Sequence, residues 1–326
     1  MKRRALLAAL GGTAISARYT RAATMSRLGV LMSGAESSAE NKARMAAFRQ
    51  ALAALGWRDG ETIRIDYRWS AGRADLIHQY AEELVALRPD VILANSTPVI
   101  SAVKSATTSI PVVFALAIDP VALGQVKSLA YPGGNLTGFT YINEELIGKW
   151  MELAKEIMPG TTRAVLVFDP ATSPFYEAFV RGIDAARLPV AMELGTLTAH
   201  TAEELAVAVG AFARAGGGAL ISGPDPFSQV QINHLARLAL RHRLPSVSVY
   251  RPFVTEGGLM AYGPDTADIF RRAAGYVDRI LRGAKPADLP VQQPIKFEFS
   301  INRRTAATFG LTVPPELMAM ADEVLD

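Results

Sequence analysis

The stretch VILANSTPVISAVKSAT (Val91–Thr107) sets an apolar run against a small polar junction. Val91 to Ala94 carry no polar side chain, the pattern of a strand covered on both faces of a parallel sheet. Asn95, Ser96 and Thr97 follow, and then Val99, Ile100, Ala102 and Val103 recur at helical spacing. Pro98 falls in the first turn of that helix, where its missing N–H has no intrahelical role. Two readings of the junction stand side by side. The hydroxyls cap the helix, contributing about 1 kcal/mol, or the free amides and the helix dipole hold an anion such as a carboxylate.

Outward from this stretch, short strands and helices alternate. RLGVLM (27–32), IRIDYRW (63–69), DVILA (90–94) and PVVFAL (111–116) read as strands, with helical patterns at Glu40 to Leu55 and Ala74 to Leu87 between them. The rhythm then recurs in RAVLVF (163–168), LPVAMEL (188–194), GALIS (218–222) and PSVSVY (245–250). The loops correspond too: MSGAES with FDPATS, NSTPV with SGPDPF, ALAIDP with SVYRPF. The fold class is therefore α/β, with two doubly wound parallel-sheet lobes of like topology. A further strand in GGLMAYG (257–263), a helix over Thr266 to Leu281, a strand in IKFEFSI (295–301) and a short helix from Asn302 to Phe309 complete both lobes. The chain then crosses between the lobes several times, which makes a hinge. The expected division is a leader over 1–24, a first lobe of 25–140 with 257–292, and a second of 141–256 with 293–326.

The leader reads as an export signal. Lys2, Arg3 and Arg4 precede a short apolar core from Ala5 to Ile15, too brief for a spanning helix. The chain carries a formal charge of +3, but the leader holds five basic residues and no acids, so the remainder is −2. That balance gives no reason to expect a nucleic-acid partner. The absence of cysteine removes disulfides, thiolate metal sites and cysteine nucleophiles. None of the four histidines stands at metal-ligand spacing, so neither metal nor cofactor is expected.

DPVALG (119–124), YPGGNLTG (131–138) and INRRTAATFGL (301–311) resemble the ABC-transporter substrate-binding proteins of the tryptophan/tyrosine-binding type, and the likeness extends from about Arg27 to Leu325. The resemblance implies a type I periplasmic-binding-protein fold, an interlobe cleft, a small-molecule ligand and closure onto an ABC permease. The chain lacks the acceptor cysteine of the family's lipoprotein version, so a freely diffusing, monomeric periplasmic protein is implied. The aromatic amino acid suggested by the family name stands beside other amino acids and aromatic acids as candidate ligands.

Ligands of open α/β sheets sit beyond the carboxyl ends of the strands. In the first lobe these ends are Ser33 and Gly34; Asn95, Ser96 and Thr97; Ile118 and Asp119. In the second they are Asp169, Thr172 and Ser173; Pro224 and Asp225; Tyr250. Asp225, between two prolines, caps a helix or pairs with a ligand ammonium across the cleft. Asp119 caps a turn or touches ligand, and Tyr250 stacks on an aromatic ligand or lines the interlobe surface. The glycines of YPGGNLTG match neither the Walker nor the dinucleotide pattern and read as a tight turn. The competing class is a hydrolase. It lacks a G-x-S-x-G elbow, and no histidine falls at an expected strand end, so no catalytic residue is assigned. A cytosolic regulator of the same lobe fold would need a DNA-binding module where the leader stands.

Overall fold

The computed structural model of the chain describes residues 25–142, 144–173, 176, 180, 190–216 and 218–326; the leader lies outside them. The first sheet is parallel throughout, in the order β2-β1-β3-β4-β5. Its strands are β1 (Ser26–Met32), β2 (Ile63–Trp69), β3 (Val91–Asn95), β4 (Val112–Ile118) and β5 (Leu136–Ile142). Helices α1 (Ala39–Ala54), α2 (Ala74–Ala86) and α3 (Thr97–Ala106) connect the first four. Every residue of β3, β4 and β5 is buried, as uninterrupted apolar runs require when helices cover both faces.

The chain then crosses into α4 (Glu144–Ile157) and the second lobe. There follow β6 (Arg163–Phe168), β7 (Glu193–Thr198), α5 (Ala202–Arg214), β8 (Ala219–Ser222), α6 (Pro226–Val230), α7 (Ile232–His242), β9 (Ser246–Ser248), α8 (Pro252–Thr255) and β10 (Met260–Pro264). After β10 the chain returns to the first lobe as α9 (Thr266–Leu281), which packs along α1. It crosses back into β11 (Phe297–Asn302), α10 (Arg303–Thr308), α11 (Pro315–Met320) and β12 (Glu323–Leu325). The second sheet runs β12-β11-β10-β9-β8-β6-β7, with β11 antiparallel to β10 and all other pairs parallel.

Two expectations shift. The strand at 257–263 was placed with the first lobe, yet β10 pairs with β9 and β11 of the second sheet. Of 257–292, only the part from α9 onward lies against the first sheet, where Val291 N–H donates to Leu129 O and Gln292 N–H to Gly138 O. The crossings therefore fall between β5 and α4, near 265 and at 293–296. Residues 188 and 189 of the strand expected at LPVAMEL lie outside the described residues, and the strand found in this region spans Glu193–Thr198. As the edge of the sheet, β7 buries only Leu194 and Leu197, so it reads as a half-polar strand beside a more apolar neighbouring run.

One apolar cluster lies on the α2–α3 face of the first sheet. The other continues from the α1–α9 face through Phe139, Tyr141 and Trp150 into the second lobe. Fully buried Trp150 donates its indole N–H to Tyr262 O at 2.6 Å, tying α4 to β10 at the crossings.

Candidate functional site

The carboxyl ends of β3 and β4 form one wall of the interlobe cleft. Ser96, immediately after β3, has φ 77° and ψ 153°, a region in which residues other than glycine are strained by about 1–3 kcal/mol. Its amide donates to Ala115 O at 3.0 Å, which holds the strand end in that conformation. The Ser96 hydroxyl makes no helix-capping bond and, though buried, has no hydrogen-bond partner. Asn95 is 1 % exposed; its Oδ1 accepts from the Ser33 hydroxyl at 2.9 Å, while its Nδ2 is buried without a partner. Thr97 differs, because its Oγ1 accepts from the Ile118 amide at 3.0 Å and so fastens α3 to the end of β4. Leu116 also has positive φ, 62°, where the β4–β5 register slips between Phe114 and Ala117. Such a bulge re-aims a side chain. Here Leu116 joins the cleft wall.

The second wall comes from the ends of β6, β8 and β9. Ser173, Pro224, Pro226, Gln229 and Tyr250 face the first wall across a void of about 50 Å³, with Tyr141 of β5 also lining it. Burial pushes the phenols of Tyr141 and Tyr250 above the ordinary tyrosine range, so both stay neutral and present hydroxyls on aromatic faces.

Of the residues named from sequence, Ser33, Asn95, Ser96, Thr97, Ile118, Ser173, Pro224 and Tyr250 line this void. Gly34, Asp119, Asp169, Thr172 and Asp225 are not among its walls. Gly34 makes room for Asn41: a Cβ there would stand 2.3 Å from Asn41 Nδ2. Asp119 is exposed and accepts from the Ala122 amide, a turn cap. Asp225 is fully buried behind Ser173. Its Oδ1 accepts from the Ser173 hydroxyl at 2.7 Å and the Thr172 hydroxyl at 3.0 Å, and its Oδ2 from the Ser228 amide at 2.8 Å. It is the cap of α6, and desolvation raises its pKa despite those three donors. Fully buried and outside the walls of the void, this carboxylate is not placed to meet a ligand ammonium there.

Asp169 accepts from the Ala171 amide, and its Oδ1 lies 2.7 Å from His200 Nδ1. His200 thus stands just beyond the end of β7, a strand-end position that the misplaced strand had concealed. Among the described residues no histidine hydrogen-bonds a serine or threonine hydroxyl, so this pair does not supply the hydrolase reading with a nucleophile.

Arg44, Tyr141, Leu116 and Gln229 line the void without having been singled out. Arg44 is 4 % exposed; Nε donates to Thr266 Oγ1 at 3.1 Å, Nη1 to Asn41 Oδ1 at 3.1 Å, and Nη2 to Glu40. Its signal is a basic side chain on the buried face of α1, beside Met45 and one turn from Phe48. The void is therefore lined by donors (Arg44, Asn95 Nδ2, the Ser96 hydroxyl), by apolar and aromatic side chains (Leu116, Ile118, Tyr141, Tyr250 and three prolines) and by the polar Ser33, Thr97, Ser173 and Gln229. Such an arrangement holds an anionic group by charge-assisted hydrogen bonds and packs an apolar body.

A family model described as ABC transporter substrate binding protein matches residues 36–325. The Tyrosine-binding protein of Clostridioides difficile (strain R20291) is 25% identical over 274 residues, covering 79% of this chain and 74% of that protein. Among solved structures, a conserved domain protein from Vibrio cholerae O1 biovar El Tor superposes with a TM-score of 0.83 at 26% identity, covering 92% of this chain and 100% of that one. An ABC domain from Streptococcus pneumonia in complex with L-Trp gives a TM-score of 0.81 at 24% identity, covering 93% and 100%.

Proposed function

The chain belongs to the ABC transporter substrate-binding protein family, and on that premise we propose that its interlobe void captures a small organic carboxylate with an aromatic or apolar body. The observation that carries this reading is the pair of buried, unpartnered groups at one strand end, Asn95 Nδ2 and the strained Ser96 hydroxyl, in a void that Arg44 also lines. Buried polar groups are ordinarily hydrogen-bonded, and a carboxylate supplies what both lack. Tyr141, Tyr250 and the prolines of the second wall take the body.

The relatives named for tyrosine and complexed with L-Trp support an aromatic amino acid or the corresponding acid. Family membership implies a solute-binding role with a permease as partner. In this reading the lobes close about the three crossings and present the loaded face to that permease, a hinge transition of the usual kind. The chain acts outside the cytoplasm as an exported, unlipidated monomer. No helix of the described residues is long and apolar enough to cross a membrane.

Thermal-shift titration with L-tyrosine, L-tryptophan and their deaminated acids tests the proposal. Binding raises the melting temperature by mass action, about 2.7 kcal/mol of stabilisation at a hundredfold excess over Kd. A protein stabilised by neutral alcohols or sugars but by none of these carboxylates would refute it.

A further inference from the structure

Gln229 on α6 and Glu40 on α1 lie on opposite lobes, 189 positions apart, and Gln229 Nε2 donates to Glu40 Oε2 at 2.9 Å. The other oxygen of Glu40 accepts from Arg44, and both Arg44 and Gln229 stand on the wall of the void. Glu40 is thus shared, with one oxygen fixing the buried cation of the first lobe and one receiving the second lobe. We propose that Gln229 and Glu40 are positioning residues that couple the grip on the ligand to lobe closure. Resting on the carboxylate reading of the cleft, this coupling assigns the pair a role beyond lining it.

The coupling follows from the valence of the groups. Arg44 is held in plane by Glu40, Asn41 and Thr266, leaving its remaining N–H groups for an anion. When the lobes part, Glu40 loses its donor from Gln229. A carboxylate in this half-buried position then depends on Arg44 alone, and the guanidinium is drawn more strongly to Glu40 and less to the ligand. When the lobes meet, Gln229 satisfies the second oxygen and Arg44 is divided between Glu40 and the ligand. Closure therefore strengthens binding, and binding favours closure by the same factor.

Distances between spin labels on the full chain read this directly, because the sequence has no cysteine to interfere. Exposed positions on the outer helices of the two lobes, Glu82→Cys on α2 and Val207→Cys on α5, carry the labels. The labelled protein, with Gln229 kept, replaced by Ala or replaced by Glu, is measured without ligand and with L-tryptophan as the probe, alongside its affinity. The kept form shows a larger short-distance population than either variant, and Gln229→Glu weakens affinity at least about tenfold, through faster dissociation. Two like charges then face each other, which favours a shared proton, so acidification lets one carboxyl donate to its neighbour and restores closure. The charged and titratable groups around Glu40 are Arg44, Tyr141 and Tyr250, with Arg251, Asp265 and Glu298 in the adjoining crevice. None of these six differs between the compared forms, so the acid recovery belongs to the introduced pair.

Equal distances and affinities in all three forms would overturn the coupling while leaving the cleft intact. So would a Gln229→Glu defect that acid does not relieve. If no aromatic carboxylate binds, the cleft reading fails, and the ligand-free distances alone decide whether Gln229 holds the lobes together.

Discussion

Replacing Ser96 with glycine should make the protein more stable and a poorer binder. The backbone there, at φ 77° and ψ 153°, lies where glycine is at ease and a Cβ is not. Relief of about 1–3 kcal/mol of strain is offset by about 0.4–1 kcal/mol for the freer unfolded glycine chain. Deleting a buried hydroxyl without a partner removes a desolvation penalty of about 1–3 kcal/mol. The sum is a gain of about 1–5 kcal/mol in ligand-free urea unfolding, seen as a higher midpoint at constant slope. Ser96→Ala separates the two effects, since it loses the hydroxyl but keeps the Cβ; it should fall about 1 kcal/mol below Ser96→Gly. Both variants lose the same contact to a charged ligand group, so both should bind about 10–100-fold more weakly by calorimetric titration. A glycine variant less stable than the alanine variant would refute the strain argument. Unchanged affinity in both would refute the assignment of the hydroxyl to ligand.

Asn95→Asp keeps the acceptor for Ser33 but turns the unpartnered donor into a second acceptor; carboxylate affinity should fall about 100-fold or more, as measured by titration, with the fold retained by circular dichroism. Gly138→Ala should lower the unfolding free energy by several kcal/mol, because Gly138 has φ 153° and a Cβ would stand 2.0 Å from Phe114 O; a normal unfolding midpoint would contradict the β4–β5 packing. Trp150→Phe removes the N–H bonded to Tyr262 O at the crossings and should cost about 1–3 kcal/mol by leaving that buried acceptor unsatisfied. The pKa of Asp225 is raised on folding by desolvation. Its contribution to stability is therefore fully present below the unfolded value near 4 and is lost as pH rises through the folded one. Asp225→Asn should lack that decline in a pH series of unfolding midpoints, and an identical slope in both proteins would contradict the burial argument.

How much of this was legible depended on how far apart the interacting groups lie. The junction Asn95-Ser96-Thr97 could be placed at a strand end because strand, turn and helix signals are local. What each side chain does there could not be read, because Thr97 is committed to Ile118 and Asn95 to Ser33, partners on other strands. Capping, one of the two readings of Ser96, fails because the chain takes positive φ there and the hydroxyl makes no bond to the first turn of the helix. Asp225 looked available because its flanking prolines say nothing of Thr172 and Ser173, about 50 residues earlier, which fill it. Arg44 was visible as a cation on an apolar helix face, but its meaning required Glu40, Asn41 and Thr266 together. β10 was misplaced because a short apolar run does not declare its sheet; only its ladder to β9 and β11 does.

The central claim is that a carboxylate in the interlobe void meets the unpartnered donors Asn95 Nδ2 and the Ser96 hydroxyl. The structure of the complex with the best-binding aromatic carboxylate from the thermal-shift panel tests it most directly. The account predicts carboxylate oxygens within hydrogen-bond distance of Asn95 Nδ2, the Ser96 hydroxyl and Arg44, with the body against Tyr141 and Tyr250. A ligand bound with its carboxylate toward Pro224 and Ser173, or outside the void altogether, would contradict it.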